Sequence, residues 1–304
     1  MIPDADREIF TKLRDDFPHF ASRCLRIRAK EGGILPFELN TIQHTVHNKL
    51  ERQREETGRI RALILKARQP GISTYVEGRY YWRVTHRDGV RAFILTHKQE
   101  ATDNLFTMVD RFHEMNNPEV RPATGRSNAK ELSFHKLNSG YKVGTAGARG
   151  VGRSDTIQYF HGSEVAYWEN ATEHVDGVLQ AVPEEDDTEV ILESTANGLG
   201  GLFYQMCKAA ERGDSDYQLI FIAWFMHEAY KRALPADGWD APEAFREYQA
   251  LHGLTDEQTY WAYAKNRQFA QALSQESDDL SWKFRQEYPA TAEEAFQTLS
   301  LIHI

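Results

Sequence analysis

The sequence has little of several features that mark whole classes of protein. Its 304 residues include only two cysteines, Cys24 and Cys207, which excludes a disulfide framework and a cysteine-rich zinc site. No apolar run approaches the ~20 residues that cross a bilayer, and the N-terminal residues do not have the pattern of a secretory signal. We therefore expect a cytosolic chain with reduced thiols and no membrane contact.

Basic charge is also scarce. Lysine and arginine number 36 against 45 aspartates and glutamates, which gives a formal net charge of -9 and a pI of about 5.8. This excludes a nucleic-acid-binding protein that is basic overall, but leaves open a protein that grips DNA locally or within a ring of subunits. A hydrophobic fraction of 41% predicts a packed core. The length allows one large domain, or a core domain with a smaller lid.

The sequence does contain an apolar strand at Ile60–Lys66, a tight polar loop, and a helix predicted over Thr74–Arg87. This order is the outline of a phosphate-binding loop, in which backbone N–H groups at the helix N-terminus bind phosphate. Gly71 would allow the backbone to approach the phosphate closely, and Ser73 would give a hydroxyl oxygen to Mg²⁺. The alternative interpretation is an ordinary strand-to-helix turn.

The loop departs from the pattern G-x-x-x-x-G-K-[ST] at two positions. Lys66 stands at the first glycine and Ile72 at the lysine, whereas Gly71 and Ser73 match. A phosphate-binding loop of this kind needs a cation from another position, and both Lys66 and Arg68 lie in the same loop. The sequence leaves open which of these two cations serves.

Two further strands end in polar side chains. The predicted strand Thr156–His161 is followed by Glu164, and a carboxylate in this position orients the attacking water in nucleotide hydrolases. The predicted strand Glu189–Thr195 runs into small polar residues that end at Asn197, a segment that can contact a γ-phosphate. Because the carboxyl ends of parallel strands meet at one edge of a sheet, we expect these residues near the phosphate loop. The alternatives are a helix-initiating turn and an Asn-Gly turn.

Arginines form two groups in the sequence. Arg149, in a glycine-rich loop, and Arg153 just after it can stabilise the charge on a transferring phosphate; the alternative is a solvated basic loop. A second group recurs at four-residue spacing on the helix after the phosphate loop: Arg79, Arg83 and Arg87. This spacing predicts either a solvated stripe or a basic edge that faces DNA or another subunit.

The order of the predicted elements is that of an α/β fold with a mainly parallel sheet. An N-terminal helix is predicted over residues 5–30, and a strand at Arg91–Thr96 is followed by a helix at Lys98–Met115. Residues 132–145 predict a hairpin that turns at Asn138-Ser139-Gly140. Strand patterns vanish after about residue 228, where polar and aromatic helices predict a small helical subdomain.

Together these segments resemble the ATPase domain of tailed-phage large terminase subunits. Lys66–Thr74 is similar to that family's variant Walker A loop, in which an Arg-Gln pair precedes the glycine. Ser163–Trp168 resembles the end of its Walker B motif, and Glu193–Gly198 its coupling motif. Three further segments are similar to the family's adenine-recognising segment, its arginine loop and the segment that closes its ATPase domain: Leu35–Phe37 with Gln43, Arg149–Arg153, and Glu287–Phe296.

The resemblance implies a P-loop NTPase core of the additional-strand, catalytic-glutamate type with a helical lid, which binds ATP and Mg²⁺. It assigns water activation to Glu164, an arginine finger to Arg149, positive charge to Arg68, a Mg²⁺ ligand to Ser73 and adenine recognition to Gln43. The other implied nucleotide-binding residues are Lys66, Gln69, Pro70, Gly71, Ile72, Thr74, Ser194, Thr195 and Asn197. Ser163 stands where the family's Walker B motif has aspartate, so Mg²⁺ is expected to be held by Ser73 and waters.

The resemblance also implies a domain order and a biological role. We expect an N-terminal helical segment at 1–34, the ATPase core at 35–227 and a lid or linker at 228–304. The last residues read as an abrupt end, so the family's C-terminal nuclease domain, and nuclease activity, are not expected in this chain. The implied role is a motor subunit that moves viral double-stranded DNA into a procapsid in the host cytoplasm, in a homo-oligomeric ring with portal protein and small terminase subunit.

Two other functions fit parts of the sequence. A helicase or other nucleic-acid remodelling ATPase would have the same core, but it would normally carry a second α/β domain, which residues 228–296 do not resemble. A non-catalytic DNA-binding or assembly module with a degenerate nucleotide site is favoured by Ile72 and Ser163. The retained Glu164 and Ser73 argue against that module.

Overall fold

The computed structural model describes residues 4–147, 156–272 and 278–296 of the chain. Its strands are β1 Arg26–Arg28, β2 Ile34–Pro36, β3 Ile60–Lys66, β4 Arg91–Thr96, β5 Arg126–Asn128, β6 Glu131–Phe134, β7 Ser139–Thr145, β8 Tyr159–Ser163, β9 Glu189–Ser194 and β10 Gln218–Ile222. Its α-helices are α1 Asp4–Asp15, α2 Phe17–Cys24, α3 Thr41–Thr57, α4 Ile72–His86, α5 Gln99–Glu114, α6 Ala171–Leu179, α7 Gly201–Arg212, α8 Glu243–His252, α9 Asp256–Ala272, α10 Trp282–Glu287 and α11 Ala292–Phe296. Within this part of the chain, no helix is both long and apolar enough to cross a membrane.

The central sheet has eight strands in the order β10-β3-β9-β8-β4-β7-β6-β5. Strand β4 runs parallel to β7 and β8, and β8 runs parallel to β9, whereas β5, β6 and β7 form an antiparallel extension. Strands β3 and β9 are buried along their whole length, as expected for strands covered on both faces. This mixed, mainly parallel sheet confirms the predicted α/β fold.

The sequence places most core elements correctly but is wrong about the N-terminus. The predicted helix over residues 5–30 is two helices followed by β1. Asp16 ends the first helix and caps the second, because its side chain accepts a hydrogen bond from the N–H of His19 at 2.9 Å. Pro18 lies in the first turn of α2, where no backbone donor is required, so it starts a helix rather than kinking one.

The predicted hairpin is present, with a longer connection than expected. Strands β6 and β7 pair antiparallel, with Phe134 opposite Ser139. A short 3₁₀ turn at His135–Leu137 and Asn138 in the left-handed conformation, with φ of 45°, join them. Asparagine tolerates this conformation better than most residues, which explains its position at the end of the connection.

Helix α4 is buried on almost every side, and this corrects the interpretation of its arginines. Arg79 and Arg83 have 0% and 2% exposed side chains, so they form neither a solvated stripe nor a basic edge. The guanidinium of Arg79 donates two hydrogen bonds to Glu189 at 2.7 and 2.9 Å, and Arg83 lies 2.8 Å from the same carboxylate. Arg79 also contacts Glu51 on α3 at 2.6 Å. These ion pairs join α3, α4 and the start of β9.

The chain divides into two compact units. The first unit comprises Met1–Leu63, Gly71–Glu193 and Asp216–Gln218, and the second comprises Ile64–Pro70, Ser194–Ser215 and Leu219–Ile304. An aromatic cluster forms the core of the second unit; its buried members are Ala67, Trp224, Tyr230, Phe245, Tyr248, Leu254, Ala262, Phe284, Tyr288 and Ala290. The boundary between the units falls within the predicted phosphate loop, so we describe the candidate residues of each unit separately.

Candidate nucleotide site

Gly71 immediately precedes α4 and requires a glycine for two reasons. Its φ of +81° lies in the left-handed region. A Cβ atom at this position would also stand 2.9 Å from the side-chain nitrogen of Gln43. The helix that carries Ser73 therefore begins at a backbone conformation and a close approach that a larger residue would disturb.

Gln43 binds backbone atoms through both ends of its side-chain amide. Its Oε1 accepts a hydrogen bond from the N–H of Asn40 at 2.9 Å, as part of a capping box at the start of α3. Its Nε2 donates to the carbonyl of Gly71 at 2.7 Å, and the residue is 4% exposed. In this structure Gln43 thus joins the start of α3 to the residue before α4. Its role in adenine recognition stays a prediction.

The hydroxyl of Ser73 donates a hydrogen bond to a carboxylate of the predicted coupling segment, to which the sequence analysis assigned no individual role. Its partner is Oε1 of Glu193, at 2.8 Å. The hydroxyl of Ser163 donates to the same oxygen, also at 2.8 Å. Ser163 and Glu193 are register partners on the parallel strands β8 and β9, so they lie side by side at the carboxyl end of the sheet. Glu193 is completely buried.

A buried histidine stands behind this carboxylate. Nε2 of His161 lies 3.6 Å from Oε1 of Glu193, and its Nδ1 lies 2.7 Å from Oε1 of Glu77. Burial lowers the pKa of His161, but the hydrogen bonds and charges of Glu193 and Glu77 outweigh it and raise that pKa to about 9. Burial raises the pKa of Glu77, and His161 only partly opposes this shift. Glu193 is therefore enclosed by two hydroxyls and an imidazole.

Glu164 follows β8 in an unusual backbone conformation. Its φ of +55° places a non-glycine residue in the left-handed region, which Gln69 of the phosphate loop also occupies with φ of +54°. The indole of Trp168 donates to the carbonyl of Ser163 at 2.9 Å, and this hydrogen bond fixes the turn. Strain of this kind clusters at functional sites, so it supports Glu164 as a functional residue.

In the second unit, Arg68 is already engaged by a carboxylate. Its guanidinium contacts Glu287 of α10, which also pairs with Lys283 at 2.7 Å. Burial raises the pKa of Glu287, but hydrogen bonds from Arg68 and Lys283 outweigh burial and lower it. Tyr230 donates to the carbonyl of Arg68 at 2.6 Å. The side chain of Arg68 is 54% exposed, whereas Lys66 is 5% exposed.

The segment after β9 also contacts α10 within the second unit. Gln286 donates from its side-chain amide to the carbonyl of Ala196 at 3.2 Å. Ser194 and Thr195 are buried, while Asn197 is exposed. Since Gln286 is the neighbour of Glu287, consecutive residues of one helix contact both the phosphate-loop segment and the segment after β9.

The structure thus groups the predicted site residues into two sets. In the first unit, Gln43 contacts Gly71, and Ser73 lies with Ser163 beside Glu193. Ile72 is buried, and Thr74 is half-buried in the first turn of α4. In the second unit lie Lys66, Arg68, Gln69, Pro70, Ser194, Thr195 and Asn197. The predicted arginine finger, Arg149, and Arg153 lie outside the described residues.

The oxygen atoms around Glu193 suit a magnesium ion. The hydroxyls of Ser73 and Ser163 and the carboxylate of Glu193 are hard oxygen ligands that converge within hydrogen-bonding distance. Mg²⁺ is usually held by one or two protein groups together with substrate phosphates and water. Within the described ranges no group of three His, Cys, Asp or Glu residues could hold a metal alone. The donor set therefore fits a cation that a nucleotide brings with it.

Comparison with known proteins addresses the fold. No protein-family model and no curated protein sequence matches this chain. Among solved structures, the large terminase of bacteriophage HK97 aligns over 91% of this chain and 54% of its own, with a TM-score of 0.62 and 14% identity. The large terminase ATPase domain of Thermus phage P74-26 aligns over 84% of this chain and 94% of that chain, with a TM-score of 0.53 and 18% identity. The fold is that of a phage large terminase ATPase domain.

This chain spans about half the length of the HK97 large terminase. The resemblance inferred from short motifs is confirmed at the level of the terminase ATPase fold, at identities of 14% and 18%. Within that fold, sequence reasoning missed His161 and Glu193 as members of the site. The available signal for Glu193 was its place at the end of a buried strand that neighbours the strand ending at Ser163.

Proposed function

We propose that this chain is the ATPase part of a phage large terminase, a motor subunit that hydrolyses ATP to drive double-stranded viral DNA into a procapsid. The observation that carries the proposal is the contact of Ser73 with Glu193 and Ser163, at the carboxyl ends of two neighbouring strands, in a terminase ATPase fold. That is where open α/β sheets bind their ligands. The Ser73 hydroxyl, which would bind the cation of the nucleotide, therefore lies within hydrogen-bonding distance of a further oxygen ligand, the Glu193 carboxylate.

Each candidate site residue of the first unit has a role in this proposal. The backbone at Gly71 and the first turn of α4 bind phosphate oxygens, since the N-terminus of a helix favours anions. Ser73 would hold Mg²⁺, which when bound would supply charge neutralisation at the phosphates. Glu164 orients the attacking water and accepts its proton. Gln43 recognises adenine. Because its side chain also donates to the Gly71 carbonyl, adenine recognition depends on the conformation of the phosphate loop.

The second unit supplies charge and coupling in the same proposal. Lys66 and Arg68 replace the lysine that Ile72 cannot supply, and Arg68 does so by exchanging Glu287 for phosphate. Ser194, Thr195 and Asn197 respond to the loss of the γ-phosphate. Because α10 contacts both the Arg68 segment and Ala196, a change at either segment alters the same helix.

The assembly follows from the same assignment. The subunits would form a homo-oligomeric ring on the portal of a procapsid, with a small terminase subunit, in the host cytoplasm. Arg149 of one subunit would stabilise the transferring phosphate bound to its neighbour, as arginine fingers do. The net charge of -9 suggests that DNA is gripped by a local surface inside the ring rather than by the whole exterior.

The decisive experiment is DNA-stimulated ATP hydrolysis by this chain and by Glu164→Gln. We expect the variant to bind ATP normally and to hydrolyse it about 10²- to 10⁴-fold more slowly, which is the usual contribution of a general base. Glu169→Gln is the matched control, since Glu169 is an exposed carboxylate five residues further on. It should match the wild type in both assays. Absence of nucleotide binding by the wild type would favour the non-catalytic module instead.

A further inference from the structure

The Walker B position of this chain has a serine where a carboxylate is expected, yet a carboxylate lies next to it. Ser163 ends β8, and its register partner on β9 is Glu193. Register partners on parallel strands carry their side chains on the same face of the sheet. The short serine and the long glutamate therefore share one location, and the carboxylate comes from the neighbouring strand.

The contacts of Glu193 are those required of the missing aspartate. Its Oε1 accepts a hydrogen bond from Ser73, the predicted cation ligand of the phosphate loop, at 2.8 Å. The serine at the Walker B position donates to the same oxygen at 2.8 Å, so Ser163 positions the carboxylate that replaces it. Such hydrogen bonds orient a carboxylate ligand toward a metal.

Burial and neighbouring groups hold Glu193 in one position. Its side chain is 0% exposed, and Nε2 of the equally buried His161 lies 3.6 Å from its Oε1. His161 is itself fixed by Glu77 at 2.7 Å. A buried carboxylate held by hydroxyl donors can exchange one of these donors for a cation, which offsets the cost of keeping a carboxylate buried.

We propose that Glu193 anchors the divalent cation of the bound nucleotide, in place of a carboxylate at residue 163. The inference rests on the proposed ATPase function and adds a residue to it. Glu193 and Ser73 would hold the cation between β9 and α4, and Ser163 would position Glu193. The carboxylate of this site would thus come from residue 193 on β9 instead of from its register partner, residue 163 on β8.

The test measures the Mg²⁺ dependence of nucleotide binding rather than hydrolysis. A fluorescent ATP analogue is titrated against wild type and Glu193→Gln at increasing Mg²⁺. We expect the Mg²⁺ concentration for half-maximal binding to rise about 10- to 100-fold in the variant, as when a metal's supporting ligand is lost. Glu169→Gln is the matched control, because it removes an exposed carboxylate outside the proposed site and should leave this midpoint unchanged.

A second variant keeps the inference falsifiable if Glu193→Gln does not fold. The exchange variant Ser163→Asp with Glu193→Ser returns the carboxylate to β8, and Glu193→Ser alone removes it. We expect the exchange variant to recover most of the Mg²⁺ dependence that Glu193→Ser loses. If the exchange variant and Glu193→Ser need the same Mg²⁺ concentration for half-maximal nucleotide binding, a carboxylate at residue 163 cannot replace Glu193, and the inference is overturned.

The outcomes separate this inference from the proposed function. A wild type that binds the analogue with Mg²⁺, beside a Glu193→Gln that binds it with the same Mg²⁺ midpoint, overturns the role of Glu193 and leaves the ATPase proposal standing. A wild type that binds no nucleotide at any Mg²⁺ concentration overturns both. Circular dichroism and urea unfolding of each variant identify loss of folding as the cause of any loss of binding.

Discussion

Strand β9 carries two fully buried glutamates, one at its start and one just before its last residue, and the two differ in what surrounds them. Glu189, at the start of the strand, accepts two hydrogen bonds from Arg79 and lies 2.8 Å from Arg83. Glu193, at the other end, accepts hydrogen bonds from the hydroxyls of Ser73 and Ser163. One carboxylate is paired with two arginines, and the other accepts hydrogen bonds from two serines and lies 3.6 Å from His161.

This difference distinguishes Glu189, a structural carboxylate, from Glu193, for which we propose a function. Burial raises the pKa of Glu189, but Arg79 and Arg83 outweigh burial and lower it. Its charge is fully matched inside the protein, so it has nothing to offer a ligand. The hydroxyls of Ser73 and Ser163 are neutral, so a cation that replaces them on Glu193 does not displace a positive charge. Burial alone therefore does not indicate function; the nature of the partners does.

The largest effect should come from Glu189→Gln. This variant leaves the guanidiniums of Arg79 and Arg83 buried without their carboxylate, and breaking a buried pair in this way costs about 3–5 kcal/mol of unfolding free energy. Urea unfolding at neutral pH measures the loss. Glu193→Gln is the matched variant, and it should lose clearly less, because its amide oxygen still accepts from both serines. Equal losses in the two variants would contradict the distinction between the two ends of β9.

Acid should lower the unfolding free energy by protonating Glu51, which shares Arg79 with Glu189. Burial raises the pKa of Glu51, but Arg79 and Arg54 outweigh burial and lower it to about 2. A carboxylate whose pKa is depressed on folding stabilises the protein above its unfolded pKa, and this stabilisation is lost as the pH falls toward its folded pKa. The window is therefore pH 4.5 to about 2, with an upper limit of about 3 kcal/mol. Urea unfolding across this window measures it.

Glu51→Gln provides the control for the acid experiment. The variant should be less stable than the wild type at pH 7, and its unfolding free energy should fall less steeply between pH 4.5 and 2. Parallel curves for the two proteins would show that the contact of Glu51 with Arg79 does not contribute to acid sensitivity.

A smaller effect, at the Glu193 end, should follow from Gly71→Ala. A non-glycine residue in the left-handed conformation costs about 1–2 kcal/mol, and the new Cβ would also stand 2.9 Å from Gln43. Gly89→Ala is matched in φ, at +73°, but its Cβ would meet nothing within 4 Å. Urea unfolding should show a larger loss for Gly71→Ala, and the difference isolates the contact with Gln43. Identical losses would mean that Gln43 moves aside freely.

Local patterns in the sequence predicted the elements that form the site. Strand β3 has the predicted bounds, and helix α4 starts only two residues earlier than expected. The apolar strand, the glycine and the helix all depend on neighbours in sequence. The carboxyl ends of β8 and β9, at Ser163 and Ser194, lie within two residues of the predicted ends at His161 and Thr195.

Contacts between distant segments were not predictable in the same way. The four-residue spacing of Arg79 and Arg83 showed that they share a helix face, but their partner, Glu189, lies more than a hundred residues later and is buried with them. The importance of Glu193 depends on the register between β8 and β9, which pairs it with Ser163. Sequence patterns alone specify neither the packing of a helix face nor the register of two strands.

The backbone at Glu164 has a consequence for redesign of this protein. Glycine or asparagine would relieve its φ of +55°, so a search for stabilising substitutions would select this position. Either replacement would also remove the carboxylate proposed to orient water. Thermostability and turnover thus make opposite demands on one residue, and an engineered variant intended to keep its activity must leave residue 164 unchanged.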